Sequence, residues 1–140
     1  MSRVIDIYDD VFNESDATTT DENVRQLRWK YDHRSKAGEV NKHWYVGCGR
    51  NKEECVSEGY PWADEMFEIF KTKLSFNEKY KVESYIRIYC NAHTHGLEPH
   101  MHVDDGDFTM IYYPRLDWKS DAWGGGTLID GQLVPYKGNR

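Results

Sequence analysis

The sequence has no long apolar run. No stretch of about 18 apolar residues occurs in its 140 residues, and the N-terminus lacks the apolar core of a signal peptide. Basic residues are fewer than acidic ones, 18 against 24, and the formal net charge is −6. A nucleic-acid-binding protein would instead show a basic face. We therefore expect a cytoplasmic protein that binds neither a membrane nor nucleic acid.

Cysteine is also scarce. Cys48, Cys55 and Cys90 are odd in number and show no CxxC spacing. This pattern favours free thiols in a reducing compartment over a disulfide framework. A chain of this length has room for one hydrophobic core, and we expect a single domain over residues 1–140 with no linker and no internal repeat.

The first part of this domain, about residues 1–80, predicts a helical layer. Val4–Tyr8 alternates apolar and polar residues, which indicates a short strand. The polar cluster Asp16–Asp21 could cap a helix over about Glu22–Lys30. Pro61 is well suited to begin a second helix that continues to about Leu74. Its apolar stripe is predicted to pack on a sheet and consists of Met66, Phe67, Phe70 and Leu74.

The second part, about residues 81–140, predicts a β-rich core. Asp130-Gly131 is a typical two-residue hairpin turn, and Gly-rich or Asp-Gly turns separate the other segments. The first part contains one more predicted strand, His43–Val46. The strands predicted in the second part are Val82–Cys90, Met101–Val103, Thr109–Tyr113, Thr127–Ile129 and Gln132–Val134.

The pattern His102-Val103-Asp104 is the strongest chemical signal in the chain. In an extended backbone, residues i and i+2 point to the same face, roughly 6.5–7 Å apart. A His and an Asp at this spacing form the local half of the two-His-one-carboxylate triad that holds non-haem Fe(II). No His follows His102, so we expect the second His of such a triad to lie beyond Arg140.

Other interpretations of the surrounding histidines stay open. His93, His95, His100 and His102 could form a zinc or nickel site, although a solvated polar loop is the commoner case for the first two. His100-Met101-His102 also matches the HxH pattern of a cupin. The cupin pattern requires a Glu a few residues later, whereas this chain has the carboxylates Asp104, Asp105 and Asp107.

Five motifs occur in a characteristic order, and the chain resembles a known superfamily through them. They are Tyr85-Ile-Arg-Ile-Tyr89, His102-Val-Asp104, Thr109-Met-Ile-Tyr-Tyr-Pro114 with Asp117-Trp118, Gly124-Gly-Gly-Thr-Leu128, and Pro135-Tyr-Lys-Gly138. With these motifs, from about Tyr85 to Gly138, the chain resembles the 2-oxoglutarate/Fe(II)-dependent dioxygenases. It is similar to the compact bacterial and phage members of the prolyl-4-hydroxylase-like branch.

The resemblance implies a mainly β fold with N-terminal helices, a double-stranded β-helix of the jelly-roll or cupin-like type. It implies that His102 and Asp104 bind Fe(II), that Tyr113 binds the distal carboxylate of 2-oxoglutarate and that Tyr89 lines the same pocket. The distal His and the basic residue that pairs with 2-oxoglutarate would lie past Arg140. The β-helix would then be incomplete at its C-terminal end, with its later strands absent.

The implied activity is hydroxylation of a peptidyl proline or a similar side chain, with succinate and carbon dioxide as coproducts. A protein or peptide would be the substrate, and ascorbate is an additional candidate cofactor. The expected location is the cytoplasm of a bacterium or of a phage-infected host. An open sheet edge near Gln132–Val134 predicts dimerisation. The alternatives are a truncated, non-catalytic oxygenase-like protein and a cupin-like metal-binding domain.

Overall fold

The computed structural model describes residues 4–73 and 76–140. These residues divide into two compact units, one made of the chain up to Arg25 with Met110–Arg140, the other of Gln26–Thr109. None of the described helices is long and apolar enough to span a membrane. The helices are α1 Glu14–Arg25, α2 Lys52–Glu58, α3 Pro61–Lys73, α4 Phe76–Tyr80 and α5 Ser120–Trp123, and the strands are β1 Lys30–His33, β2 His43–Gly49, β3 Ile88–Ala92, β4 Thr127–Ile129 and β5 Gln132–Val134.

The Gln26–Thr109 unit is built on a three-stranded antiparallel sheet in the order β1-β2-β3. Tyr45 of β2 lies opposite Lys30 on one side and opposite Asn91 on the other. Because side chains alternate along a strand, β2 presents His43 and Tyr45 on one face and Val46 and Cys48 on the other. The two faces therefore have different chemistry, one polar and aromatic, the other apolar.

Helix α2 packs against β2, and α3 packs against α2. The side chain of Asn51 caps α2, since its Oδ1 accepts a hydrogen bond from the Glu54 backbone N–H at 2.9 Å. Val46, Cys48 and Cys55 are buried on this side of the sheet, and the cysteines are free thiols. The helices thus cover the apolar face of the sheet and leave the polar and aromatic face for the loop that follows β3.

The other unit combines α1 with the C-terminal hairpin. Positive φ angles of 48° at Asp130 and 83° at Gly131 give the turn between β4 and β5 the primed geometry that suits a hairpin. Asn139 closes the unit, because its Oδ1 accepts from the Phe12 N–H at 3.0 Å and its Nδ2 donates to the Phe12 carbonyl at 2.9 Å. One buried amide side chain thereby supplies both hydrogen bonds that a neighbouring strand would make.

The predicted helix over Glu22–Lys30 is wrong, because α1 lies at Glu14–Arg25. Asn13 provides the reason, since its Oδ1 accepts the Asp16 backbone N–H at 2.7 Å and so caps the helix earlier. The polar cluster Asp16–Asp21 lies inside the helix. The prediction of a second helix from Pro61 is confirmed as far as Lys73.

The buried face of α3 includes Phe67 and Phe70 of the predicted stripe. Leu74, the last residue of that stripe, lies outside the described residues.

Four strand predictions also need correction. Val4–Tyr8, Met101–Val103 and Thr109–Tyr113 belong to neither described sheet. An alternating pattern indicates which face of a segment could be buried, but it does not show whether a neighbouring strand is present to pair with it. Met101 and Val103 are in fact 63% and 73% exposed. Val82–Cys90 is paired only from Ile88 onwards, where β2 lies beside it.

The hairpin Thr127–Ile129/Gln132–Val134 and the strand at His43–Val46, which continues to Gly49, are confirmed. The double-stranded β-helix stays a prediction, as does the single domain, since the described strands form one three-stranded and one two-stranded sheet.

Candidate metal site

His102 and Asp104 lie on the irregular segment that follows β3, within the Gln26–Thr109 unit. His102 Nε2 is 3.4 Å from Asp104 Oδ1, and the two side chains are 35% and 27% exposed. The i, i+2 spacing therefore brings the two side chains together even though the backbone is not part of a strand. Their facing atoms are the two that a metal would use.

The ring of His102 is held from its other nitrogen. His102 Nδ1 lies 3.1 Å from the carbonyl oxygen of His100. A carbonyl oxygen only accepts, so this contact is a hydrogen bond when Nδ1 carries the proton. In the neutral ring Nε2 then carries the lone pair, as in metal sites where a backbone carbonyl fixes the tautomer of a ligating His, whereas in the protonated ring Nε2–H donates to Asp104.

The distance between the two candidate ligand atoms suits a shared cation. Two metal–ligand bonds of about 2.1 Å at a right angle separate the ligand atoms by roughly 3.0 Å, and a wider angle separates them further. The observed 3.4 Å is therefore close to the required distance. Asp104 is also oriented from its far side, since Thr109 Oγ1 donates to Asp104 Oδ2 at 3.4 Å.

Tyr89 lies on the polar and aromatic face of the sheet, with its ring centroid 5.6 Å from that of Tyr45. Burial raises the pKa of its phenol, and the negative charge of Asp104 raises it further. The guanidinium of Arg87 lies 5.5 Å from the centre of the Tyr89 ring and 3.9 Å from Asp105 Oδ2. The charge of Asp104 therefore acts on the Tyr89 phenol, and the role of Tyr89 in lining the 2-oxoglutarate pocket stays a prediction.

Among the residues that the structure describes, a third protein ligand is not found beside His102 and Asp104. Within residues 4–73 and 76–140, no three His, Cys, Asp or Glu side chains are grouped as a metal site. His100 contacts the site through its backbone, with its carbonyl facing His102 and its N–H bonded to Glu39. The donor set of one imidazole and one carboxylate fits Fe(II), and His102 and Asp104 would be two of the three protein ligands of a facial triad.

Tyr113 lies in the other compact unit and is 7% exposed. Its hydroxyl is 2.6 Å from Thr127 Oγ1, and its ring stacks on Tyr136 with 4.4 Å between centroids. Tyr112 has different partners, since its hydroxyl donates to Asn139 Oδ1 at 3.0 Å. The two tyrosines thus point in different directions. The role of Tyr113 towards 2-oxoglutarate stays a prediction.

The side chains of His33, His43 and His93 form a row of three imidazoles, which the sequence analysis did not predict. His43 is 1% exposed, and its ring centroid lies 5.1 Å from that of His33 and 4.6 Å from that of His93. Burial, followed by repulsion from His93 and His33, lowers the pKa of His43. In the sequence, only the alternation His43-Trp44-Tyr45 indicated this arrangement, because it places His43 and Tyr45 on one face of the strand. In the structure, the ring of His33 also stacks on Tyr45, with 3.9 Å between centroids.

Comparisons with known proteins do not identify a family. No family model, no curated protein and no solved structure matches the chain.

Proposed function

We propose that this chain is an Fe(II)- and 2-oxoglutarate-dependent oxygenase domain that hydroxylates a proline or a similar side chain of a protein or peptide. One observation carries the metal part of this proposal, namely the 3.4 Å approach of His102 Nε2 to Asp104 Oδ1 on a partly exposed loop. The cosubstrate and the substrate class come from the resemblance of the motifs between Tyr85 and Gly138. The geometry supports the proposed site, and the motifs support the proposed reaction.

His102 and Asp104 would hold the metal, and Asp104 would be the anionic ligand. Dioxygen would be the oxidant, and the bound metal would supply the chemistry that activates it. One oxygen atom would enter succinate as 2-oxoglutarate loses carbon dioxide, and the other would enter the hydroxylated side chain. The protein's own residues fix the geometry: the His100 carbonyl orients His102, and Thr109 orients Asp104. Tyr89 is a half-buried phenol on which the charge of Asp104 acts, and it would line the pocket of the cosubstrate.

Anaerobic titration of the 140-residue chain with Fe(II), followed by calorimetry, tests the metal site. We expect weak binding by the wild type, because two protein ligands hold the metal. Asp104→Asn should abolish this binding, and His102→Ala should do the same. Asp105→Asn is the matched control, since it removes an equal charge from the adjacent position, and it should leave binding nearly unchanged.

Two results would contradict the proposal in different ways. Binding that survives Asp104→Asn but is lost in Asp105→Asn would move the carboxylate ligand by one residue. Equal losses in His100→Ala and His102→Ala would favour a cupin-like pair of histidines over the His-x-Asp pair.

A further inference from the structure

The segment that leads into β2 runs alongside the loop that carries the candidate metal ligands. Glu39 Oε1 accepts a hydrogen bond from the His100 backbone N–H at 2.8 Å. Two residues further on, Asn41 Nδ2 donates to the Glu98 carbonyl oxygen, also at 2.8 Å. All four residues belong to the Gln26–Thr109 unit. The loop is therefore held at two points before it reaches His102.

The order of these contacts is that of an antiparallel pair. Moving forward from Glu39 to Asn41 corresponds to moving back from His100 to Glu98, as in a β-ladder. Side chains here replace the backbone groups of the second strand. Asn41 is two residues from the buried His43, with which β2 begins, so this segment leads directly into the sheet.

Glu39 is a carboxylate of low exposure with a hydrogen-bond partner on the loop. It is only 5% exposed, and buried carboxylates are rare unless they are paired or hydrogen-bonded. The hydrogen bond from the His100 N–H lowers the pKa of its carboxyl, against the effect of burial, which raises it. The charged form of Glu39 is thus the one that holds the loop.

His100 transmits this contact to the candidate ligand. Its N–H is bound by Glu39, and its carbonyl oxygen faces Nδ1 of His102 at 3.1 Å. Holding the N–H therefore restricts the backbone of the same residue whose carbonyl orients the ring of His102. Released from Glu39, this backbone could rotate, and Nε2 of His102 would lose its fixed approach to Asp104.

We propose that Glu39 is a positioning residue of the metal site, which holds the backbone of His100 and thereby the imidazole of His102 in the orientation that binds the metal. This inference rests on the proposed function, because it takes His102 as a ligand. Partners in the outer shell of a metal site typically contribute about 10–100-fold in metal affinity. Glu39 acts through another residue and would not touch the metal.

Hydrogen exchange and metal titration test this role separately. In the metal-free protein, Glu39→Ala should raise the exchange rate of the His100 amide about tenfold or more. The same variant should weaken Fe(II) binding by about 10–100-fold. Glu39→Gln keeps an oxygen acceptor but loses the charge, so both readouts should lie between those of the wild type and of Glu39→Ala. Should Glu39→Ala fail to fold, Glu39→Asp withdraws the carboxylate from the His100 amide and should change both readouts in the same direction.

Glu98→Ala is the matched control. It removes a carboxylate from the same loop, yet it keeps the backbone carbonyl that accepts from Asn41. We expect Glu98→Ala to change the Fe(II) affinity by less than about twofold. A loss of affinity equal to that in Glu39→Ala would mean that the effect arises from the change in net charge, and it would overturn the inference. Unchanged exchange of the His100 amide in Glu39→Ala would overturn it as well. The exchange rate of the His100 amide is measured without metal. A failure of the proposed function would appear instead as no Fe(II) binding by the wild type, so the two failures can be distinguished.

Discussion

Replacing Tyr113 by Phe removes a single hydroxyl from a well-packed position. The Tyr113 hydroxyl lies 2.6 Å from Thr127 Oγ1 and 3.4 Å from the Val134 carbonyl oxygen. The aromatic ring stacks on Tyr136, with 4.4 Å between centroids. Phe keeps the ring and its stacking, so Tyr113→Phe isolates the polar contacts of the hydroxyl.

The expected cost follows from burial. Tyr113 is 7% exposed, whereas Thr127 is only half-buried. Removing one partner of a buried hydrogen bond costs about 1–3 kcal/mol, and water can partly satisfy the hydroxyl of Thr127. We therefore expect Tyr113→Phe to lower the free energy of unfolding by about 1–2 kcal/mol.

Urea unfolding of the wild type, Tyr113→Phe, Thr127→Val and the double variant measures the contact itself. Because the two hydroxyls interact directly, the double variant should lose less stability than the sum of the two single variants. A coupling of about 1 kcal/mol is expected. Strict additivity would refute the hydrogen bond as the source of the stabilisation.

The same variant tests the predicted role towards the cosubstrate. If the Tyr113 hydroxyl binds the distal carboxylate of 2-oxoglutarate, its loss should weaken 2-oxoglutarate binding roughly tenfold to hundredfold, from about 1.5–3 kcal/mol for a hydrogen bond to a charged group. Tyr112→Phe should leave that affinity unchanged, because its hydroxyl bonds to Asn139 instead. The reverse pattern would show that the predicted strand phase is wrong.

Three further predictions concern the sheet and its helices. The pKa of His43 is lowered in the folded protein, so below about pH 6.5 the unfolded chain binds a proton that the folded chain does not. The free energy of unfolding should therefore fall as the pH is lowered below this value. Urea titrations at several pH values should show that His43→Gln flattens this dependence. Gly49→Ala would place a Cβ 2.7 Å from the Cys55 backbone N; the melting temperature should fall by an amount corresponding to about 1–3 kcal/mol, and an unchanged value would contradict the packing. Asn51→Ala removes the cap of α2 and should cost about 1 kcal/mol in the same assay, with Asn51→Asp retaining most of the stability.

Turn and proline signals in the sequence predicted local structure correctly, whereas alternation and polar clusters did not. Asp130-Gly131 specified the hairpin because the two positive φ angles of its turn suit these residues. Pro61 marked the start of α3 because its fixed φ and missing N–H suit the first turn of a helix. The helix start at Glu14 was missed because Asn13 and the Asp16–Asp21 cluster offer equally good capping side chains in the sequence.

Non-local contacts could not be predicted in the same way. The pairing of His102 with Asp104 follows from their i, i+2 spacing, and the structure brings these two residues together. The contact of Glu39 with His100 spans 61 positions of sequence, and nothing in the local pattern of either segment indicates it. The row of His33, His43 and His93 likewise depends on the register of three strands, which alternation alone does not fix.

The most direct test of the central claim is anaerobic absorption spectroscopy of the chain with Fe(II) and 2-oxoglutarate together. The proposed site predicts a metal-to-ligand charge-transfer band that requires both additions, that is lost in Asp104→Asn and that persists in Asp105→Asn. The absence of this band from an iron-loaded wild type, or its full intensity in Asp104→Asn, would contradict the assignment of His102 and Asp104 as the ligands of a 2-oxoglutarate-dependent oxygenase.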